Sequence, residues 1–196
     1  QLYVADWSRA DCVWRVSLDG QVDEWLTHKS TTTATFEPRS LSVTSRRLLV
    51  TTDDELLMFD ADGVELKRVS LPDMKRLQHA VETSRGTIVV CHDEPQPQVS
   101  EVDVDGHVIR VYSGRHQLNR SYHLALDSED RVFVADTNSN RVLLLNSRLQ
   151  LERVLLNTEQ HQLVKEPHRL CYRQQTGQLI VGSYGSRCVQ IFGIRH

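Results

Sequence analysis

Short apolar runs recur along the chain, and each is followed by a polar stretch and a second apolar run. The leading runs occupy residues 2–6, 48–52, 88–92, 132–136 and 179–183. When their central valines are taken as equivalent, namely Val4, Val50, Val90, Val134 and Val181, the spacings are 46, 40, 44 and 47 residues. A period in the forties built from short β-rich segments is typical of β-propeller blades. The pattern therefore predicts an all-β propeller.

Each repeat can be divided into four strands, named a to d from the inside of a blade outward. Strand b is the leading run, strand c is the second apolar run, and strand d follows a tight turn. Strand a precedes strand b in the last four repeats, at residues 40–44, 78–82, 123–127 and 169–173. The predicted units are 1–34, 35–72, 73–114, 115–160 and 161–196. The first unit lacks strand a and the last ends after strand c, which gives about 4.5 blades.

The number of complete blades decides what kind of ring this is. The missing strands correspond to one whole blade and one strand on each side of it, which favours a six-bladed ring. A five-bladed ring, only two strands short, stays open as an alternative. The chain begins on a strand-like Gln1-Leu2-Tyr3-Val4 run, so we expect it to be a fragment of a longer protein.

Turn residues support this division into strands. Asp-Gly pairs separate strands c and d in the first three units, at Asp19-Gly20, Asp62-Gly63 and Asp105-Gly106. Asp-Gly between two apolar runs is among the strongest sequence signals for a β-hairpin. The fourth unit has Asn146-Ser147-Arg148 at this place, which is a less ideal hairpin loop.

The fourth unit resembles an NHL repeat, the blade unit of the propeller at the C-terminus of TRIM-NHL proteins. The matching residues are Leu124, Leu126, Asp127, Asp130, Val132, Val134, Ala135, Asp136, Asn138 or Asn140, Arg141 and Val142. The fifth unit is similar, with Arg173 where aspartate is usual, and units two and three keep only the apolar frame and the Asp-Gly turn. The first unit is also similar to a YWTD blade, with Tyr3-Val4-Ala5-Asp6 in place of that tetrapeptide.

The TRIM-NHL resemblance implies a non-catalytic recognition platform for a protein or peptide at the C-terminus of a larger protein. RING and B-box domains lie upstream in that family and can confer ubiquitin-ligase activity, which would reside outside these 196 residues. The resemblance also implies a cytoplasmic location, although an extracellular one stays open. Related propellers include peptide-amidating lyases and lactonases, so a propeller enzyme is a second alternative.

Composition excludes several classes of partner. The formal net charge is −3 and 39% of residues are hydrophobic, so no basic excess points to DNA. The apolar runs are too short for membrane insertion. The four cysteines form no C-x-x-C pair, so we interpret them as small apolar side chains.

Sequence motifs for catalysis or cofactor binding are absent, and we expect no cofactor and no metal. The predicted starts of the inner strands are Ser40, Gln78, His123 and Arg169. This row would rim the central channel, and it lacks the set of histidines or carboxylates that a zinc or calcium site needs. Near it, we interpret Asp136, Asn138, Asn140 and Arg141 as structural residues of the b–c loop.

Basic and aromatic residues concentrate on the face that carries the d–a and b–c loops. The candidate ligand-binding residues there are Trp7, Lys75, Arg76, Arg115, Arg120, His123, Asn138, Arg141, Arg169 and Tyr184. Such a face suits an acidic peptide or protein, and RNA is the alternative, held by phosphate contacts and base stacking. A third interpretation stays open, since solvated protein faces that bind no ligand can have the same composition. Acidic residues at positions 53, 54, 93 and 94 dilute the positive charge.

Overall fold

The computed structural model describes residues 2–5, 12–27, 37–159 and 165–194. Within these ranges the chain forms antiparallel β-sheets, and helical structure is limited to two short 3-10 turns, Thr137–Ser139 and Gln174–Thr176. No helical segment in this part of the protein has the length and hydropathy needed to span a membrane.

Each sheet is a meander in which the strands keep their chain order. Sheet 1 contains β1 (Leu2–Ala5), β2 (Cys12–Val16) and β3 (Val22–Thr27). Sheet 2 contains β4 (Ser40–Val43), β5 (Leu48–Thr51), β6 (Glu55–Phe59) and β7 (Glu65–Ser70). Sheet 3 contains β8 (Lys75–Glu82), β9 (Ile88–Glu94), β10 (Gln98–Val102) and β11 (Val108–Val111). Sheet 4 contains β12 (Ser121–Leu126), β13 (Val132–Asp136), β14 (Arg141–Leu145) and β15 (Leu151–Asn157). Sheet 5 contains β16 (Pro167–Arg173), β17 (Gln178–Ser183) and β18 (Val189–Gly193).

The sheets follow one another around a common axis with their first strands innermost. Strand β8 packs against β4 on one side and β12 on the other, and β12 in turn packs against β16. In the described ranges, sheets 1 and 5 have three strands and the other sheets have four. The predicted all-β propeller of about 4.5 blades is thus confirmed, and among the described residues sheet 1 has no strand a and sheet 5 no strand d.

The core is divided into separate apolar clusters, one between each pair of neighbouring sheets. Between sheets 3 and 4, for example, Val89 and Val99 pack against Val134 and Leu143. This arrangement follows from the alternation of side chains along each strand, because every sheet presents one apolar face to each neighbour. Two of the four cysteines contribute as expected, since Cys12 and Cys91 are buried, whereas Cys171 and Cys188 are exposed.

The c–d turns of sheets 2, 3 and 4 share one hydrogen-bonding pattern. Asp60 Oδ1 accepts the N–H groups of Asp62 and Val64, each at 2.9 Å. Asn146 Oδ1 accepts the equivalent N–H groups in sheet 4, at 3.0 and 2.9 Å. Leu149 has φ +58°, the left-handed geometry that glycine supplies in the other turns. Leu149 therefore completes the turn, which is one residue longer than the Asn146-Ser147-Arg148 loop expected from the sequence, and strand d begins at Leu151.

The outward faces of the two terminal sheets carry exposed apolar side chains. On sheet 1, Leu2 is 61% exposed and Val4 is 41% exposed. On sheet 5, Val189 is 66% exposed and Ile191 is 56% exposed. By strand register, Ile191 corresponds to Leu144 of sheet 4, which is buried against sheet 5. Each terminal sheet therefore exposes a face of the kind that sheets 2 to 4 bury against a neighbour.

Candidate functional site

A four-residue motif lies at the start of the inner strand in sheets 3, 4 and 5. Its copies are residues 76–79, 120–123 and 166–169. The first residue of each copy has a left-handed backbone, with φ of +56° at Arg76, +72° at Arg120 and +43° at Glu166. The third residue is an extra one in a β-bulge, because the pairing register shifts across it. We call this the bulge motif.

The bulge motif presents two kinds of side chain at this end of the axis. The extra residues are Gln78, Tyr122 and His168. The residues that resume the ladder, together with their counterpart in sheet 2, are Ser40, His79, His123 and Arg169, and we call these four the axial row. The prediction of Gln78 in this row is wrong by one residue. The bulge shifts the register, so His79 holds the position and Gln78 is the extra residue.

Two neighbouring histidines of the axial row stack on each other. The ring centroids of His79 and His123 are 3.7 Å apart, with 23° between the ring planes. His79 Nδ1 accepts the Leu124 N–H and His123 Nδ1 accepts the Leu170 N–H, each at 3.4 Å. Each imidazole therefore links its own sheet to the backbone of the next sheet.

A cavity of about 300 Å³ lies beside the axial row, between sheets 4 and 5. Its lining residues are Arg120, Tyr122, Thr137, Asn138, Glu166, His168 and Tyr184, and we call it the rim pocket. Residues of the d–a loops and of the b–c loops meet here, which confirms that these loops emerge on the same face.

Aromatic and guanidinium groups are layered in the rim pocket. The Tyr122 and His168 rings have centroids 3.9 Å apart, and His168 and Tyr184 are 5.6 Å apart. The guanidinium carbon of Arg120 is 5.1 Å from the centre of the Tyr122 ring, and that of Arg169 is 5.8 Å away. Both distances fit a cation–π contact. Tyr184 is 70% exposed, so it offers an open aromatic face.

The histidines at this end of the axis are held neutral. Burial, reinforced by the charge of Arg169, lowers the pKa of His79 to about 3. Burial also lowers the pKa of His123 well below its usual value, with further contributions from His79 and Arg169. Desolvation and the charges of Arg169 and Arg120 lower the pKa of His168 to about 4. At neutral pH these imidazoles act as neutral hydrogen-bonding groups.

Most basic side chains on this face are paired with carboxylates. The pairs are Arg39–Asp53 at 2.8 Å, Lys75–Asp54 at 2.5 Å, Arg76–Glu94 at 3.3 Å, Arg120–Asp93 at 3.6 Å and Arg141–Asp136 at 2.7 Å. The acidic residues that dilute the face in the sequence are thus direct partners of its cations. Burial raises the pKa of Asp93 despite the nearby arginines.

The structure brings some of the candidate residues together and separates others. Arg120, Asn138 and Tyr184 line the rim pocket, and His123 and Arg169 stand next to it in the axial row. The remaining candidates lie elsewhere: Lys75 and Arg76 at the start of sheet 3, exposed Arg115 in the 112–120 loop, Arg141 in the b–c loop, and Trp7 outside the described residues.

Arg141 has the structural role expected from the sequence. Its Nε and Nη2 atoms both lie 2.7 Å from Oδ2 of Asp136, whose side chain is fully buried. Oδ1 of the same carboxylate accepts the Asn119 N–H at 2.8 Å. Asn140 takes the expected left-handed conformation with φ +52°, and Asn138 lies in the preceding 3-10 turn.

Four residues that line the rim pocket are absent from the candidates drawn from the sequence, namely Tyr122, Thr137, Glu166 and His168. Aligning the copies of the bulge motif would have found two of them, because Glu166 and His168 match Arg120 and Tyr122 position by position. The change of side-chain chemistry between copies conceals this correspondence. Thr137 carries no such signal, and its hydroxyl donates a hydrogen bond to the Pro167 carbonyl at 2.7 Å.

Comparison with known proteins gives no match to a family profile and none to a curated protein sequence. Solved structures do match. A propeller in a nidogen/laminin complex is 16% identical with a TM-score of 0.76, covering 97% of this chain and 70% of the other.

Virginiamycin B lyase from Staphylococcus aureus is a second similar structure. It is 13% identical with a TM-score of 0.64, and 95% of this chain is covered. A catalytically inactive variant of that lyase with quinupristin is 12% identical with a TM-score of 0.66. The chain spans 64% of the length of these lyase chains. At such low identity, these similarities establish one property of the chain, its β-propeller fold.

Proposed function

We propose that this propeller is a non-catalytic recognition platform that binds a protein or peptide through the rim pocket. The observation that carries the proposal is the layered set of Tyr122, His168 and Tyr184, flanked by two guanidinium groups beside a cavity of about 300 Å³. Clefts with aromatic walls and a few convergent polar groups are typical of binding sites. The protein partner in the nidogen/laminin complex supports this class of function for a propeller of similar fold.

The polar groups of the rim pocket suit a peptide. Arg120 and Glu166 give its wall charges of both signs, and Asn138 adds an amide. A peptide offers backbone donors and acceptors together with side chains of mixed character, so it can satisfy all of these groups at once. Tyrosine and arginine are also the residues most often found at the energetic centre of protein interfaces.

RNA binding is the second candidate, and two observations favour it. Among the described residues Arg115 forms no ion pair, and Tyr184 has an open ring face on which a base could stack. A peptide is favoured over RNA because most cations of this face already form ion pairs with carboxylates. These ion pairs would have to break before the cations could bind RNA phosphates. The ring of Tyr122 is also covered by His168 and by Arg120.

A lyase is a third candidate, favoured by the similarity to virginiamycin B lyase. The non-catalytic assignment is supported by the lowered pKa of His168, because a histidine with a pKa of about 4 is a weak base and is almost fully deprotonated at neutral pH. We expect quinupristin to stay intact on prolonged incubation with the protein, as followed by mass spectrometry. Its conversion would overturn the non-catalytic assignment.

The same proposal covers the finer architecture and the cellular context. We place the five sheets in a six-bladed ring of the TRIM-NHL type, in a cytoplasmic protein. The exposed apolar faces of sheets 1 and 5 support a further blade between them, because Val4 and Ile191 are equivalent to residues that sheets 2 to 4 bury. The residues shared with NHL repeats in sheet 4 support the family assignment.

A peptide-display selection tests the binding function. We expect the wild-type protein to enrich a defined set of peptides, and their affinity to fall at least tenfold in a variant that combines Arg120→Ala and Tyr184→Ala. Arg46→Ala is the matched control, since Arg46 is exposed and lies on the opposite face. Two outcomes would contradict the proposal: selection of no peptide, or equal affinity of the double variant and the wild type. Salt-sensitive capture of an RNA pool that requires Arg115 and Arg120 would favour RNA instead.

A further inference from the structure

Arg169 differs from the other arginines around the rim pocket in its contacts. Arg39, Arg76, Arg120 and Arg141 each face a carboxylate within 4.0 Å. Within the described ranges, no carboxylate lies that close to Arg169. Its Nη1 instead lies 2.9 Å from Nδ1 of His168 and 3.0 Å from the carbonyl oxygen of the same residue. Arg169 is thus a cation that has neutral hydrogen-bond acceptors but no counter-ion.

The neighbouring imidazoles add a hydrogen-bond donor and no negative charge. His168 Nδ1 accepts the Arg169 N–H, and His123 Nδ1 accepts the backbone N–H of Leu170. A neutral imidazole that accepts at Nδ1 carries its proton on Nε2, so the His168 ring keeps an N–H group to donate. The His123 ring is already hydrogen-bonded to the backbone of Leu124. The surroundings of Arg169 therefore offer a single positive charge and the N–H group of His168.

The guanidinium of Arg169 is both crowded and accessible. Protein atoms around it remove enough water to lower its pKa, and desolvation is the main cause of that shift. Its side chain is nevertheless exposed at the end of the axis. A cation that has lost part of its hydration without gaining a counter-ion is stabilised when an anion approaches, and the paired state forms short, charge-assisted hydrogen bonds.

We propose that Arg169 receives the carboxylate of an acidic side chain of the bound protein or peptide, beside the N–H group of His168. This inference deepens the recognition function proposed above and rests on it. A carboxylate is favoured over a phosphate because the site supplies one unpaired positive charge, which matches a monoanion. Glu166 in the wall of the rim pocket, and Asp93 beside Arg120, add negative charge nearby that disfavours a dianion.

Small probes test the site independently of any natural partner. Histidine side chains are labelled with ¹³C, and the ring signals of His123 and His168 are followed by NMR during titration. The probes are acetate, N-acetylglutamate α-amide, its neutral analogue N-acetylglutamine amide, and inorganic phosphate. We expect saturable shifts with acetate and the glutamate probe, none with the glutamine probe, and weaker binding of phosphate.

Variants assign the binding to Arg169. Arg169→Gln should abolish the saturable shifts, and Arg169→Lys, which keeps the charge but loses the planar fork, should weaken binding severalfold. Arg39→Gln is the control, because Arg39 lies on the same face and is paired with Asp53. Backbone amide spectra check that each variant is folded. Shifts that persist in Arg169→Gln, equal shifts with the neutral probe, or tighter binding of phosphate would overturn the proposal.

The two proposals can fail separately. If the glutamate probe binds at Arg169 but display selects no peptide, the anion site stands and the recognition function fails. If display selects peptides that lack acidic residues and bind Arg169→Gln as well as wild type, the recognition function stands and the anion site fails.

Discussion

At the scale of single residues, this end of the propeller is organised by imidazoles that accept backbone N–H groups from the next sheet. His79 accepts from Leu124 and His123 accepts from Leu170, and the two rings stack. A protonated imidazole cannot accept at Nδ1, so each of these links requires the neutral form. The sequence shows nine dispersed histidines but gives no sign of which ones make such links.

His79 should therefore make the stability of the protein depend on pH. Its pKa is about 3 in the folded protein and about 6.5 in the unfolded chain. As pH falls below about 6.5, the unfolded state binds a proton that the folded state does not. The free energy of unfolding should then decrease by up to about 1.4 kcal/mol per pH unit for this residue, until pH 3 is approached. His123 and His168 add contributions of the same sign.

Urea unfolding at several pH values between 7.5 and 4.5 measures this dependence. In the acidic range, His79→Gln should reduce the slope of the free energy of unfolding against pH by up to about 1.4 kcal/mol per pH unit, the contribution of one bound proton. His116→Gln serves as the control, because His116 is exposed. An unchanged slope in His79→Gln would show that His79 is not one of the groups responsible.

At the scale of elements, the tight turns were predicted more reliably than the registers of the inner strands. Asp-Gly pairs mark their hairpins because a left-handed backbone position favours glycine over residues with a Cβ. The turn of sheet 4 was predicted one residue too short, because Leu149 is an apolar residue and gives no sign in the sequence of its left-handed φ of +58°. The bulges at Gln78, Tyr122 and His168 escaped prediction because an extra residue in one strand leaves no mark on its apolar alternation.

Two equivalent turns allow the cost of backbone strain to be separated from the cost of a steric clash. Gly20 has φ +85° and Gly106 has φ +92°. A Cβ on Gly20 would meet no atom within 4 Å, whereas one on Gly106 would lie 2.6 Å from Cγ1 of Val69. Gly20→Ala should cost about 1 kcal/mol from φ alone, and Gly106→Ala should cost about 1–3 kcal/mol more. Thermal unfolding of the two variants beside wild type measures the difference, and equal losses would rule out the predicted clash.

At the scale of the whole molecule, stability is distributed among local contacts between neighbouring sheets, as in other repeat proteins. The repeat spacing was enough to predict the propeller, because few other folds are built from short apolar strands that recur with a period in the forties. The site was predicted only in part. Arg120, Asn138 and Tyr184 were found from charge and loop position, whereas Glu166 and His168 were not, because their side chains differ in chemistry from the equivalent Arg120 and Tyr122.

The terminal sheets should open more readily than the central ones. Strands β1 and β18 have exposed apolar side chains, while β9 and β13 are buried almost throughout. Hydrogen exchange should therefore be at least a hundredfold faster for the hydrogen-bonded amides of residues 2–5 and 189–193 than for those of residues 88–92 and 132–136. Uniform protection across all five sheets would contradict this gradient.

The repeated bulge has a consequence for how the recognition surface can change. Tyr122 and His168 are partly exposed and lie outside the regular pairing, so their side chains can be exchanged without moving the registers on which folding depends. The third extra residue, Gln78, is buried and donates a hydrogen bond to Asp93 at 2.9 Å, so it is less free to change. A combinatorial library at positions 122 and 168 is thus a route to new binding specificities on an unchanged scaffold, and natural divergence has the same freedom.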